Sequence, residues 1–228
     1  MTSLVGNYLH HWPLLCFAAQ SRGSHGTDQR GVDHREDDAE LVQRGRGGDE
    51  RAFDELFDRH SDRVYRWLSR LIGPANERDD LVQEVFVSVY RGLSNYRQEA
   101  AFTTWLYRIV ANTAHSHLRK RSRSKERFTP SAAELHREID RALIHSGTSP
   151  EDLAEQREQL VRALALLDRL KPKKRIAYVL RMVEERSLQE IAEIVGATPA
   201  AVGQRVKHAQ RELSAMLARE QQRAEKKR

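Results

Sequence analysis

From Asp37 to Arg123, apolar residues recur at steps of three and four, the repeat of helices that bury one face. Gly47-Gly48, Gly73-Pro74 and Gly92 punctuate this stretch. Between Ser122 and Pro150 the repeat fades into Arg/Ser, Thr129-Pro130 and a final His145-Ser146-Gly147-Thr148-Ser149-Pro150. Ala132–Ile144 suits a short helix, but the segment as a whole reads as a linker. Helical periodicity resumes at Leu153 and runs to Leu217, after which Arg219–Arg228 is polar and charged. Neither strand-like alternation nor an internal repeat shows in the sequence. The pattern predicts an all-α protein of two small helical domains, 37–121 and 153–218, joined by a flexible linker over 122–152. A leader (1–36) and a charged tail (219–228) flank them.

The 228 residues carry a formal charge of +6, a balance that favours polyanionic partners. Acidic and basic residues alternate along most of the chain, so local clusters must carry any such argument. Cys16 is the only cysteine, which excludes an intramolecular disulfide and a Cys-rich zinc site and suits a reducing cytosol. No apolar run approaches the roughly 20 residues that span a bilayer, so no membrane insertion and a cytoplasmic location are expected. The apolar patch His11–Ala19 lacks a basic leading segment and a cleavage context, so residues 1–36 read as a disordered leader or an over-long start.

Ser187-Leu188-Gln189-Glu190 has the spacing of a capping box. The helix it opens carries Leu188, Ile191, Ala192 and Val195 on one face and ends at Gly196. Thr198 then caps a second helix with Pro199 at its first position, and Val202, Val206, Ala209 and Leu213 form its buried stripe. Two capped helices across a glycine turn predict a helix-turn-helix. Gln204, Lys207, His208 and Arg211 lie roughly opposite Val202, as long hydrogen-bonding side chains in a major groove must. The bland alternative is a solvated face. Upstream, Leu160, Leu164, Leu167 and Leu170, then Ile176, Val179, Leu180 and Val183, supply a core. Lys171, Lys173, Lys174 and Arg175 sit at a helix start, within reach of phosphates or simply of water.

In the N-terminal half, Leu81, Val82, Val85, Phe86, Val89 and Tyr90 make a wide stripe to bury. The opposite face shows Asp80, Gln83, Glu84, Val87 and Arg91. An acidic face with an exposed valine suits a protein partner rather than DNA. A metal site from Asp79, Asp80 and Glu84 lacks a histidine or a third well-placed carboxylate, so neither metal nor cofactor is expected. Next, Tyr96, Phe102, Trp105 and Tyr107 interleave with Arg97, Arg108, Arg119, Lys120, Arg121 and Arg123. Phe102, Leu106, Ile109 and Thr113 form a core stripe. Tyr96 and Arg97 fall in a loop that no core requires, where a ring can stack bases while cations hold phosphates. An unstacked base would find hydrogen-bond donors and acceptors at the amide of Asn112.

These pieces, in this order, resemble a bacterial RNA polymerase sigma factor of the extracytoplasmic-function group, the short type with regions 2 and 4 only. The matching residues are Gly48-Asp49 with Ala52-Phe53 and Leu56, then Asp80-Leu81-Val82-Gln83-Glu84-Val85-Phe86. They continue with Phe102-Thr103-Thr104-Trp105-Leu106-Tyr107-Arg108-Ile109-Val110-Ala111-Asn112 and with Glu190-Ile191-Ala192 through Leu213. The resemblance implies a transcription initiation factor, not an enzyme, that binds core RNA polymerase and promoter DNA. Asp80, Gln83, Glu84 and Val87 would dock on the clamp helices of the β′ subunit, and region 4 would meet the β flap. Tyr96, Arg97, Trp105, Arg108 and Asn112 would hold the melted −10 strand, with Arg119, Lys120 and Arg121 on the duplex upstream. Gly203, Gln204, Arg205, Lys207, His208 and Arg211 would read the −35 element, and an anti-sigma factor would control the whole.

The chain departs from that family at the recognition helix. Ala201-Val202-Gly203-Gln204-Arg205 stands where a Thr-Val-Lys/Arg-Ser-Arg run is usual, and His208-Ala209-Gln210 where Arg-Ala-Arg is usual. Fewer cations there mean weaker phosphate anchoring. A stand-alone operator-binding regulator is the competing reading, but it leaves the acidic face and the Tyr96 loop without a role. A nucleic-acid enzyme is the remote one, since no catalytic triad, phosphate loop or metal cluster stands out in the sequence.

Overall fold

The computed structural model describes residues 33–73, 77–123 and 150–226. Among them the structure is helical, with no strand: α1 (Asp33–Arg46), α2 (Glu50–Ile72), α3 (Arg78–Leu93), α4 (Phe102–Arg123), α5 (Pro150–Asp168), α6 (Pro172–Met182), α7 (Leu188–Val195) and α8 (Pro199–Glu225). The chain divides into two compact units at His117/Leu118. The expected leader lies outside the described residues up to residue 32, and its last four residues, 33–36, belong to α1. Residues 124–149 of the expected linker, including Ala132–Ile144, also lie outside them. No helix in the described residues is long and apolar enough to cross a membrane.

In the first unit, the turn from α1 to α2 is built on Asp49. Its Oδ1 accepts from the backbone N–H of Arg51 at 3.0 Å and of Ala52 at 3.4 Å, while Arg44 donates to Oδ2 at 2.8 Å. A capping carboxylate of this kind satisfies backbone N–H groups that the first turn of the helix leaves without an intrahelical partner. The preceding Gly48 has φ 89°, a left-handed conformation that glycine adopts without strain. Leu56, Val64, Leu68 and Leu71 of α2 pack with Leu81, Val85 and Val89 of α3 and with Leu106 and Val110 of α4 in the buried core. One member of the expected α3 stripe is not there: Tyr90 is 59% exposed and lies edge-on to Phe53 at 5.2 Å. The ring lies at the edge of the stripe, where the neighbouring helices no longer cover it.

Two buried polar residues cross this core. His60 Nε2 lies 3.0 Å from Asp38 Oδ2, and Arg59 donates to Asp38 Oδ1 at 3.1 Å. Burial raises the Asp38 pKa, but the hydrogen bonds and charges of His60 and Arg59 lower it more, so it ends below the ordinary aspartate value. A carboxylate depressed on folding adds stability that is complete above its unfolded pKa and is lost as pH falls through the folded one. The first unit is therefore expected to weaken below about pH 5. Asp38→Asn should cost stability at neutral pH and flatten that acid limb. Urea midpoints of wild type and variant across the pH range check this, and an unchanged acid limb in the variant overturns it.

In the second unit the expected capping box is complete: Ser187 Oγ accepts from Glu190 N–H at 3.1 Å, and Glu190 accepts from Ser187 N–H at 2.8 Å. Gly196 closes α7 at φ 61°, and Thr198 Oγ1 caps α8 by accepting from Ala201 N–H at 3.2 Å. Val202, Val206, Ala209 and Leu213 are buried, together with Ile191 and Ala192. Leu188, expected in that core, is instead 36% exposed, and Ile194 is buried. Leu188 is the first residue of α7, where its side chain reaches only the edge of the packed face, beside Gly203 of α8.

The end of the chain differs from the expected tail, because α8 continues to Glu225. Residues 214–225 are dominated by Ala, Gln, Glu and Arg, all strong helix formers, so propensity extends the helix past its buried stripe. The basic cluster at the start of α6 divides. Lys171 and Lys173 are exposed, Lys174 is bonded to Glu212, and Arg175 is buried with Nη1 3.0 Å from Asp168 Oδ1. Arg175 therefore does not offer its charge to solvent. Burial, and then the Arg121 guanidinium, pushes its pKa down to about 9.

Candidate nucleic-acid and polymerase interfaces

On α3, Asp80, Gln83, Glu84 and Arg91 are exposed, and Val87 is exposed by 46%. These residues recur every three to four positions opposite Leu81, Val85 and Val89, so one side of the helix is committed to the core and the other is left as a polar strip around an apolar centre. Tyr90 and Phe53 extend it with an aromatic pair that the sequence pattern did not single out.

The loop before α4 is organised differently from expectation. Tyr96 is only 6% exposed, so a core does require it. Its ring lies 4.9 Å from Trp105 and 6.1 Å from Phe102, and its hydroxyl donates to the carbonyl of Ala100 at 2.5 Å. Burial, with a smaller contribution from the Asp38 charge, raises its pKa and keeps that proton in place. Phe102 in turn lies 5.3 Å from the ring of His60. Tyr96 thus pins the loop from below and is no open stacking platform. Within the pinned loop, Gln98 takes φ 57°, a conformation that non-glycine residues seldom adopt, and Arg97, Gln98 and Glu99 point to solvent. Gln98 carried no signal in the sequence, since its backbone strain arises only when the loop closes.

On α4, Trp105 is half-buried and sits against Gly92, where an added Cβ would lie 3.1 Å from the indole Cζ2. Arg108 is half-buried with its Nε shielded and without a hydrogen-bond partner, and Asn112 is exposed. Further along, Arg119 and Lys120 are exposed. Arg121 is instead ion-paired with Asp168, the carboxylate that also receives Arg175. A phosphate contact by Arg121 therefore has to displace this carboxylate, whereas Arg119 and Lys120 meet no such competitor in the ion pairs described.

On α8, Gln204, Lys207, His208 and Arg211 are exposed on one side and Arg205 is half-buried at its edge. Gly203 is half-buried because it borders Leu188: a Cβ on Gly203 would lie 3.5 Å from Leu188 Cδ1, an ordinary contact. The absence of a side chain at 203 is therefore a feature of this exposed face and is not imposed by packing.

The same two segments match family models. Residues 56–124 match Sigma-70 region 2, and residues 160–213 match Sigma-70, region 4. The chain is 33% identical over 171 residues to the ECF RNA polymerase sigma-E factor of Escherichia coli, covering 74% of this chain and 88% of that protein. The chain belongs to the extracytoplasmic-function RNA polymerase sigma factors. It is a transcription initiation factor that joins core RNA polymerase and directs it to promoters, as sigma factors do without being enzymes themselves. A second relative, the RNA polymerase sigma-H factor of Pseudomonas aeruginosa, is 44% identical over 88 residues, 39% of this chain and 46% of that protein. Among solved structures, the sigma factor RpoE from Bartonella quintana, in complex with the anti-sigma factor NepR, matches with a TM-score of 0.48 and 18% identity. That match covers 73% of this chain and 96% of the other. In this sigma factor the helix-turn-helix is the region 4 element, and the acidic α3 strip and the pinned loop belong to region 2.

Proposed function

We propose that the two exposed faces divide the work of initiation between protein and DNA. Region 2 is taken as 37–121 and region 4 as 153–218. The α3 strip of Asp80, Gln83, Glu84 and Val87 docks on the β′ clamp helices, with region 4 engaging the β flap. Arg97, Arg108 and Asn112 hold the opened −10 strand, while Tyr96 and Trp105 set the shape of the loop. Arg119, Lys120 and, after leaving Asp168, Arg121 bind phosphates of the upstream duplex. Gln204, Lys207, His208 and Arg211, flanked by Gly203 and Arg205, read the −35 element. The observation that carries this reading is the pairing, in one sigma-family chain, of an exposed acidic strip that repels DNA with an exposed cationic reading helix. The acidic strip needs a protein partner and the reading helix needs DNA.

The chain supplies binding energy and the polymerase supplies the chemistry. Opening a few base pairs costs several kcal/mol, offset by base capture and phosphate contacts. Family membership supports a cytoplasmic location and control by an anti-sigma protein. Gel shift with promoter DNA tests the division of labour: sequence-specific retention is expected with core polymerase present and only weak binding without it. Tight specific binding by the isolated chain would instead establish a stand-alone regulator.

A further inference from the structure

Among the described residues of region 4, two large apolar side chains are exposed, Met182 and Leu188. Met182 is in contact with Gln210, whose Nε2 lies 3.9 Å from its sulfur. Leu188 differs, because the residue of α8 beside it is Gly203. A Cβ at 203 would rest on Leu188 Cδ1 at 3.5 Å and would meet no other element within 4 Å. Glycine weakens a helix interior relative to alanine, yet here the fold does not ask for it. Gly203 has no positive φ, and its neighbour stands at ordinary contact distance. What the missing side chain does is leave the Leu188 methyl groups uncovered.

The opening lies where a reading helix meets bases. Gly203 is the fifth residue of α8, directly before the exposed Gln204 and one turn before the exposed Lys207. The N-terminal residues of a recognition helix are those that contact base edges. Ala200, one turn earlier, is exposed as well. Ala200, Gly203 and Leu188 offer no hydrogen-bonding side chain. Among the groups that base pairs present in the major groove, the 5-methyl of thymine is the apolar one. The others are donors or acceptors, which a leucine methyl would strip of water without replacing the lost bond.

We infer that Leu188, left uncovered by Gly203, forms an apolar notch beside the reading face that takes the 5-methyl group of one thymine in the −35 element. This deepens the −35 reading proposed above and rests on it. Gln204 and Lys207 meet polar edges of adjacent pairs, while the notch selects T·A at a single position.

The test uses reconstituted holoenzyme and a promoter library randomised over the −35 region, synthesised once with thymine and once with deoxyuridine. The two bases pair alike and differ only by the methyl group. With thymine, one position is expected to be enriched in T. With deoxyuridine, enrichment at that position should fall about fourfold, the worth of one buried methyl group, with no comparable fall elsewhere. Leu188→Ala and Gly203→Gln should each abolish the difference between libraries, the first by removing the contact and the second by covering it. Gly203→Gln replaces a glycine inside a helix, so the free chain should melt higher and the lost discrimination is no folding defect.

Equal results from the two libraries with the wild-type protein overturn the inference, and that comparison needs no variant to fold. A difference that survives both substitutions also overturns it, since the methyl group is then read elsewhere. If neither library is enriched at any −35 position, the −35 reading itself fails. Enrichment that ignores the methyl group leaves that reading standing and removes only the notch.

Discussion

Asn112→Ala is expected to reduce promoter opening by about tenfold to a hundredfold while core binding and folding stay intact. An amide that satisfies both a donor and an acceptor on a base edge is worth about 1–3 kcal/mol, and each 1.4 kcal/mol is tenfold. Asn112 is exposed on α4, so its removal leaves no buried polar atom unpaired and should change stability by less than about 0.5 kcal/mol. Permanganate footprinting of thymines near the −10 element reports the opening, and co-purification with core reports the association. Wild-type reactivity in the variant would remove Asn112 from the base-holding set. Tyr96→Ala should also lower opening, but by a different route: it removes a buried ring and the hydroxyl that bonds to Ala100, so its melting temperature should fall as well. Tyr96→Phe separates the two, since it keeps the ring contacts and loses only the bond that closes the loop.

Glu84→Arg is expected to weaken association with core polymerase by roughly 2 kcal/mol or more, about thirtyfold. The reversal places a cation in the middle of a strip whose other polar members are Asp80 and Gln83, against a partner face that the acidic strip requires to be basic. Because Glu84 is exposed and pairs with no described cation, the isolated chain should fold as before. Holoenzyme reconstitution followed by size exclusion measures the effect, with thermal melting of the free chain as control. Co-purification at wild-type level would show that α3 is not the docking face, and the acidic strip would then need another partner.

How much of this was legible in the sequence depends on how local the cause is. The helix-turn-helix is encoded within about 30 residues: the Ser187–Glu190 box, Gly196, Thr198-Pro199 and the stripe from Val202 to Leu213 each act within one or two turns of helix. The α3 strip is legible for the same reason, because period and residue type alone separate its two faces. Misplaced residues sit where an element ends or where a long-range partner intervenes. Leu188 and Tyr90 fit the helical period, yet each lies at an edge where the neighbouring helices no longer cover it. Lys174 and Arg175 looked equivalent to Lys171 and Lys173 until Glu212 and Asp168 reached them from other helices.

The sequence by itself determined that the chain is helical, that it carries a helix-turn-helix, and that one helix presents an acidic face. These follow from propensity, caps and periodicity, all short-range physics. Only the tertiary structure decided that Tyr96 lies beneath its loop instead of above it. The ring is buried by Trp105 and Phe102, and Phe102 rests on the His60–Asp38 pair joining α2 to α1. It likewise decided that Arg121 is held by a carboxylate and that Trp67 of α2 meets Tyr107 of α4 edge-on. Each depends on side chains distant in sequence meeting across helices, and a helical repeat records which face turns inward but not which partner it meets there.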